Sequence, residues 1–269
     1  MKIQEMQGKP METETALITG ASSGIGLELA KLFAEDGTNL VLVARRKDRL
    51  EELASRLRDE NGIEVSVLAK DLCDKEAPNE ILARLTDDGI TVDVVVNNAG
   101  FGAVGSFAKL SLQRQMEMVQ VNITALTHLT RLFLPSIIQR DRGGVLNVGS
   151  TAAFQPGPRM AIYYATKAYV LSFTEAIAEE LVSTNIKVSC LCPGPTTTEF
   201  EEAAGMEGLL LFKLGPMDAQ TVAKMGYKGF RRGKTLVIPG LTNRLGAFSV
   251  RFTPRAWVRK IVKRLQSHR

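Results

Sequence analysis

The sequence predicts a single doubly wound α/β domain, a parallel sheet of about seven strands covered by helices on both faces. Three observations carry that prediction. Short runs rich in Val, Ile and Leu recur at 15–19, 39–43, 64–68, 93–96, 144–148, 186–191 and 235–238. Each is about strand length and lacks strict apolar–polar alternation, as strands buried on both faces should. Between them, at 26–35, 47–60, 75–87, 111–140 and 161–182, lie stretches with helical periodicity, so strand and helix alternate and the crossovers are right-handed. Finally, no Pro/Gly/Ser linker, low-complexity tract or fixed-period repeat divides the 269 residues. One domain over 14–253 is therefore expected, between a flexible N-terminal segment, 1–13, and a basic C-terminal helix, 254–269.

The composition, 45% hydrophobic and 23% charged, is that of a folded globular chain rather than a disordered or fibrous one. Cys73, Cys190 and Cys192 have no His or further Cys nearby, so they build neither a disulfide framework nor a zinc site; a reducing, cytoplasmic setting and no metal are expected. The N-terminal stretch MKIQEMQGKPMETE is polar where a secretory signal needs an apolar run, and no run of 18 consecutive apolar residues occurs. Net charge is +5, but after Asp218 there are 13 Lys and Arg and no acid, whereas the first 218 residues carry 21 basic and 29 acidic residues. That block suits phosphates or an anionic surface, or forms a solvated basic face. It lacks the aromatic array that stacks bases, and no nucleic-acid partner is expected.

Taken in order, the first strand runs into Thr19-Gly20-Ala21-Ser22-Ser23-Gly24-Ile25-Gly26. Glycines there permit positive φ and close backbone approach, and the helix that follows presents free N–H groups and a favourable dipole to a phosphate. The fourth strand is followed by Asn97-Asn98-Ala99-Gly100, and Asn122 sits inside the next long helix, where Asn is not favoured. Ser150 closes the fifth strand, at the edge where parallel sheets place their ligands. Tyr163 and Lys167 are four apart on the following helix and so adjacent on one face; an ammonium beside a phenol favours its ionised form. Pro193-Gly194, then Thr196 and Thr198, follow the sixth strand.

Together these segments resemble the short-chain dehydrogenase/reductase family. Residues 19–26 match its TGxxxGIG loop, 97–100 its NNAG motif, and Tyr163 with Lys167 its YxxxK pair, 13 residues after Ser150. The resemblance covers 19–198 in family order. It implies a Rossmann-type fold and a nicotinamide dinucleotide that carries the hydride. Tyr163 is then the proton-transferring group, Ser150 its hydrogen-bonding partner, Lys167 the charge beside it, and Asn122 the holder of a water linking Lys167 to solvent. Tyr164 is implied to be a packing neighbour. Gly20, Ser22, Ser23, Gly24, Ile25 and Gly26 would cradle the pyrophosphate, Asp71 and Leu72 the adenine, and Asn98, Ala99 and Gly100 the central cofactor. Pro193, Gly194, Thr196 and Thr198 would hold the nicotinamide end. After the second strand, where the acid for a ribose 2′-hydroxyl would stand, the chain has Ala44-Arg45-Arg46. Arg45, with Arg46 accessory, suits the 2′-phosphate of NADP(H), leaving NAD(H) as the alternative.

The expected reaction is hydride transfer between NADP(H) and a carbonyl or secondary alcohol, with ketone reduction the expected direction; the competing reading is a silent dinucleotide sensor or scaffold. Residues 199–217, rich in Leu, Phe and Met, occupy the family's variable lid and predict an apolar substrate or simple packing, with Phe101 and Phe154 as candidate pocket walls. The family also implies a homodimer or homotetramer. On a helix beginning at Pro254, Trp257, Val258, Ile261, Val262 and Leu265 share a stripe beside five basic residues. That pattern fits either peripheral membrane contact or packing.

Overall fold

The structure, a computed structural model, describes residues 13–205 and 215–266. Its strands are β1 (Thr15–Thr19), β2 (Asn39–Ala44), β3 (Val65–Ala69), β4 (Val94–Asn97), β5 (Gly144–Val148), β6 (Lys187–Leu191), β7 (Thr196–Thr197), β8 (Met217–Asp218) and β9 (Leu236–Val237). Seven of them form one parallel sheet in the order β3-β2-β1-β4-β5-β6-β9, and β7 and β8 pair separately. The helices are α1 (Gly24–Glu35), α2 (Lys47–Asn61), α3 (Ala77–Asp87), α4 (Leu112–Val119), α5 (Leu126–Arg140), α6 (Ala161–Glu180), α7 (Glu199–Ala203), α8 (Ala219–Arg231), α9 (Leu241–Ser249) and α10 (Arg255–Leu265).

Side-chain parity along each strand divides the core into two layers. Ala16, Ile18, Leu40, Leu42, Val94 and Val96 pack with Leu29 and Phe33 of α1, Leu50 of α2 and Phe230 of α8. Leu17, Val41, Val43 and Val95 face the opposite way, onto Ile81 of α3, Phe133 of α5 and Ile177 of α6. Both faces of the central strands are thus covered, which is why their sequences do not alternate.

The structure departs from the sequence expectation in three places. The helix expected at 111–140 is continuous but widens to a π-helical turn over Gln120–Ala125. It is long and apolar enough to cross a membrane, yet Leu126, Leu129, Phe133 and Ile137 are buried within the domain. Although Val222, Ala223, Tyr227 and Phe230 recur on one buried face, helix α8, absent from the sequence expectation, carries Gly226 and Gly229, which lower its intrinsic propensity. Both are packing glycines: a Cβ would lie 2.5 Å from Leu191 on β6 and 2.3 Å from Val237 on β9, so only glycine lets the helix approach the sheet. Helix α9, also absent from the sequence expectation, turns its large apolar residues outward, away from the core. The N-terminal segment 1–12 and most of the lid's apolar run, 206–214, lie outside the described residues.

Asp93, immediately before β4, is 1% exposed and ties three parts of the sheet together. Its Oδ2 accepts the Thr15 N–H at 3.0 Å, and its Oδ1 accepts from Arg140 Nε at 3.2 Å and Arg142 Nε at 3.1 Å. The Asp93 carbonyl also accepts the Gly144 N–H that starts β5. Asp93→Ala is therefore expected to destabilise the fold by about 2–3 kcal/mol, short of the roughly 3–5 of a fully buried pair. The discount reflects Arg140 and Arg142, 24% and 37% exposed, which regain water when the carboxylate goes. Urea unfolding measures this; a loss below about 1 kcal/mol would class the pair with exposed ion pairs.

Candidate active site

The chain's crossovers change direction between β1 and β4, and the crevice this opens at the carboxyl edge of the sheet is a cleft of about 430 Å³. One wall is the glycine loop. Gly20 and Gly24 have φ of +67° and +56°, values that favour glycine. Asn98 reaches across from the end of β4. Its Nδ2 donates to the carbonyls of Thr19 at 2.9 Å and Gly20 at 3.2 Å, while Thr19 Oγ1 accepts the main-chain N–H groups of Asn98 and Ala99, both at 3.0 Å. Gly26 does not line the cleft, contrary to its expected contact with cofactor. A Cβ there would lie 2.3 Å from Asn98 Nδ2 and 2.4 Å from the Gly20 carbonyl, so its role is to admit this crossing. Ser23 caps α1 without a side-chain bond, and the first turn holds no acid. The helix start, with Gly20, Ser22, Ser23, Gly24 and Ile25 on the cleft wall, fits a pyrophosphate.

Beyond β2, Arg45 is exposed at the cleft edge, near enough to draw down the Cys73 thiol, which burial and Asp71 push up to about 11. Arg46, expected to be the accessory residue, is the better held of the two. It donates to Ser22 Oγ at 3.1 Å, Ser23 Oγ at 2.8 Å and Glu199 at 2.6 Å. Arg49 joins the same carboxylate, and Arg49 and Arg46 together hold Glu199 below the usual carboxylate range. Asp71 and Leu72 line the cleft close by.

At the other end, Ser150, Tyr163 and Lys167 converge, all less than a tenth exposed. Ser150 caps the 3-10 turn Thr151–Phe154 by accepting the Ala152 N–H at 3.1 Å and lies within hydrogen-bonding reach of the Tyr163 phenol. Burial dominates both titrating groups. It pushes Tyr163 far above the ordinary tyrosine value, against a smaller pull from Ser150, and lowers Lys167 to about 8. This corrects the expectation that the ammonium would depress the phenol. Lys167 Nζ donates to the Val148 carbonyl at 2.7 Å and stands 5.8 Å from the Tyr163 ring centre, and burial outweighs every charge near the phenol.

Asn122 lies in the π-helical turn and off the cleft, behind Gly100. Its Oδ1 accepts the Phe101 N–H at 3.1 Å, and its Nδ2 donates to the Phe101 carbonyl and to Thr166 Oγ1, both at 3.0 Å. Through these bonds the side chain fixes the Phe101 loop, and its Oδ1 keeps a second lone pair free of protein donors. Asn98, Ala99 and Gly100 line the cleft, as do Pro193, Gly194, Thr196 and Thr198, with the Pro193 carbonyl beside the Ser150 hydroxyl. Thr198 also caps α7 by accepting the Phe200 N–H at 3.2 Å.

The substrate side is walled by Phe101, Met160, Tyr164 and Phe200. The Phe200 ring, from the lid, is 5.6 Å from that of Tyr163. Phe154 is not in the wall; it packs with Leu126, Val170 and Cys190. Sequence reasoning misses Met160, and misses Gln266, whose Nε2 donates to the Tyr164 hydroxyl at 2.6 Å from 102 positions away. No local pattern marks either one.

The Lys167 shift makes a stability prediction. Below pH 8 both folded and unfolded chains carry this charge, and its burial opposes folding; between pH 8 and about 10.4 only the unfolded chain keeps the proton, so stability rises. Relative to Lys167→Met, the cofactor-free wild type should gain on the order of 3 kcal/mol across that window. Denaturant unfolding of both proteins at pH 7.5 and 10.5 checks it, and a pH-independent difference would show that the ammonium is solvated.

The model of the short chain dehydrogenase family matches residues 14–207. A probable NADP-dependent dehydrogenase of Haemophilus influenzae is 37% identical over 185 residues, 68% of this chain and 72% of that protein. Among solved structures, a short-chain dehydrogenase from Sphingobium yanoikuyae in complex with NADPH is 36% identical with a TM-score of 0.79, covering 88% of this chain and 92% of that one. A bulky-bulky ketone specific alcohol dehydrogenase from Comamonas testosteroni is 35% identical with a TM-score of 0.74, covering 88% and 94%. A family enzyme from Burkholderia phymatum in complex with NAD is 25% identical with a TM-score of 0.78, covering 88% and 92%. With the sheet order, the glycine crossing and the Ser150–Tyr163–Lys167 cluster, these matches identify the chain as a member of the short-chain dehydrogenase/reductase family of oxidoreductases.

Proposed function

We propose that this enzyme reduces a bulky, apolar ketone to the secondary alcohol with NADPH. The observation that carries this reading is the buried, proton-bearing Tyr163 beside the Ser150 hydroxyl, in one cleft with the glycine loop. The nicotinamide, when bound, supplies the hydride. Ser150 and Tyr163 orient the substrate oxygen, and Tyr163, kept protonated by burial, donates its proton as negative charge develops there. Lys167 then sets its charge beside the phenolate, and because burial lowers it to about 8 it can pass a proton near neutral pH. The apolar wall of Phe101, Met160, Tyr164 and Phe200 supports a large apolar substrate, in keeping with the bulky-bulky ketone specificity of the similar Comamonas enzyme.

Arg45 and Arg46, standing where an NAD enzyme would carry an acid, support the preference for NADP(H). Glu199 already engages Arg46, so Arg45 has the freer guanidinium for a 2′-phosphate. A cytoplasmic homo-oligomer belongs to the same reading. Leu112, Met116 and Ile138 on the long helix and Tyr169 on α6 are exposed, as a subunit contact requires.

Tyr163→Phe removes only the hydroxyl, so the variant should fold and bind dinucleotide normally while turnover falls at least about 100- to 10,000-fold. An NADPH-oxidation screen over bulky aromatic and alicyclic ketones supplies the assay. Near-normal turnover in the variant would overturn Tyr163 as donor, and no turnover of any carbonyl by the wild type would favour a dinucleotide sensor. Arg45→Asp should weaken NADP binding about 10- to 150-fold and favour NAD, since a bond to a charged group becomes repulsion. Fluorescence titration with both cofactors measures this; a wild type that prefers NAD would sink the assignment.

A further inference from the structure

The C-terminal region holds an apolar surface that the reductase chemistry leaves unexplained. Of the large apolar side chains exposed among the described residues, half fall within 241–261: Leu241, Leu245, Phe248, Phe252, Trp257 and Ile261, between 52% and 75% exposed. The first four are spaced 4, 3 and 4 apart, one stripe along α9 and the turn after it. The Phe248 and Phe252 rings lie 5.1 Å apart. Trp257 and Ile261, four apart, form the outward side of α10, whose other side, Val258 and Val262, is buried against Met118, Met160 and Tyr164. The tail is thus neither wholly packed nor wholly free. It docks by one stripe and shows a second.

Charge decides what that second stripe meets. Seven Arg and Lys and no acid occur between 241 and 266, and all seven are exposed, among them Arg244, Arg251, Arg255 and Arg259. In a symmetric contact with a second copy this surface would face itself, basic against basic. An anionic lipid surface supplies the opposite sign for the basic residues and an acyl boundary for Trp, Phe and Leu.

We propose that the face formed by α9 and α10 seats the enzyme on an anionic phospholipid bilayer, with its exposed Leu, Phe, Trp and Ile side chains in the headgroup–acyl boundary and its Arg and Lys side chains on lipid phosphates. The seat backs directly onto the cleft. A Cβ at Gly194, on the cleft wall, would lie 2.4 Å from the Asn243 side chain of α9, and Gln266, just past α10, bonds Tyr164. A ketone dissolved in the bilayer would therefore be concentrated close to the cleft. That consequence rests on the reductase reading; the membrane seat does not.

Trp257 is the only tryptophan in the chain, so its emission reports on this face without any activity assay. The full-length protein should co-sediment with vesicles of equal parts phosphatidylglycerol and phosphatidylcholine, with Trp257 emission shifting to the blue and becoming shielded from iodide. Binding to phosphatidylcholine alone should be at least about ten-fold weaker, and salt should weaken binding to the anionic vesicles. Phe248→Ser with Phe252→Ser, both exposed and so harmless to folding, should lower partition at least about ten-fold, and Arg251→Gln with Arg255→Gln should weaken binding to anionic vesicles only. Protein that stays in the supernatant with unchanged Trp257 emission overturns the proposal. So does emission already blue-shifted without lipid in an oligomer that Phe248→Ser with Phe252→Ser dissociates, which would make this face a subunit contact.

Discussion

The crossing of Asn98 over the glycine loop is the constraint on which the site depends. Asn98 fastens the end of β4 to the turn after β1 by bonds to Thr19 and Gly20, at the point where the sheet's crossovers change direction. The bonds are short enough that Gly26 has no space for a Cβ. Two adjacent strand ends are thereby held at one spacing, and the start of α1 is aimed into the crevice between them. Loosening the crossing would misplace both the phosphate cradle and the Gly100–Phe101 loop. Asn122 pins that loop from the other side, through the widened π-helical turn.

Burial then sets the chemistry. One desolvated pocket raises the Tyr163 phenol and lowers the Lys167 ammonium, so the first keeps its proton and the second can release one. The Lys167 shift opposes folding at neutral pH, whereas the Tyr163 shift does so only above the ordinary tyrosine value near 10, so the buried ammonium is the local cost borne by the two-layer core. Ser150 reaches the same pocket because the turn it caps places its hydroxyl beside the phenol.

The C-terminal fifth of the chain backs this pocket from far away in sequence. Helix α8 closes the sheet edge through two packing glycines, α9 lies against the Pro193-Gly194 segment, and α10 packs behind Met160 and Tyr164, which line the cleft. The lid that begins at Glu199 is fastened at both ends, by the β7–β8 pairing and by the ion pairs from Glu199 to Arg46 and Arg49. Cofactor end and substrate end therefore share one strap.

Much of the fold is legible in the sequence because its signals are local. The seven sheet strands lie within a residue or two of the apolar runs that predict them, since burial on both faces leaves those runs continuous; the glycine loop, Ser150 and the Tyr163–Lys167 pair stand at element ends or one helical turn apart. The sequence by itself thus determined the sheet, its handed crossovers and the residues that meet at its carboxyl edge. Only the tertiary structure decided what those residues experience. Desolvation of Tyr163 and Lys167, the use of the Asn122 amide by Phe101, the burial of Gly26 under Asn98 and the reach of Gln266 to Tyr164 all depend on side chains far apart in sequence. No window of sequence contains both partners, and the low dielectric that fixes their protonation exists only once the core has closed around them.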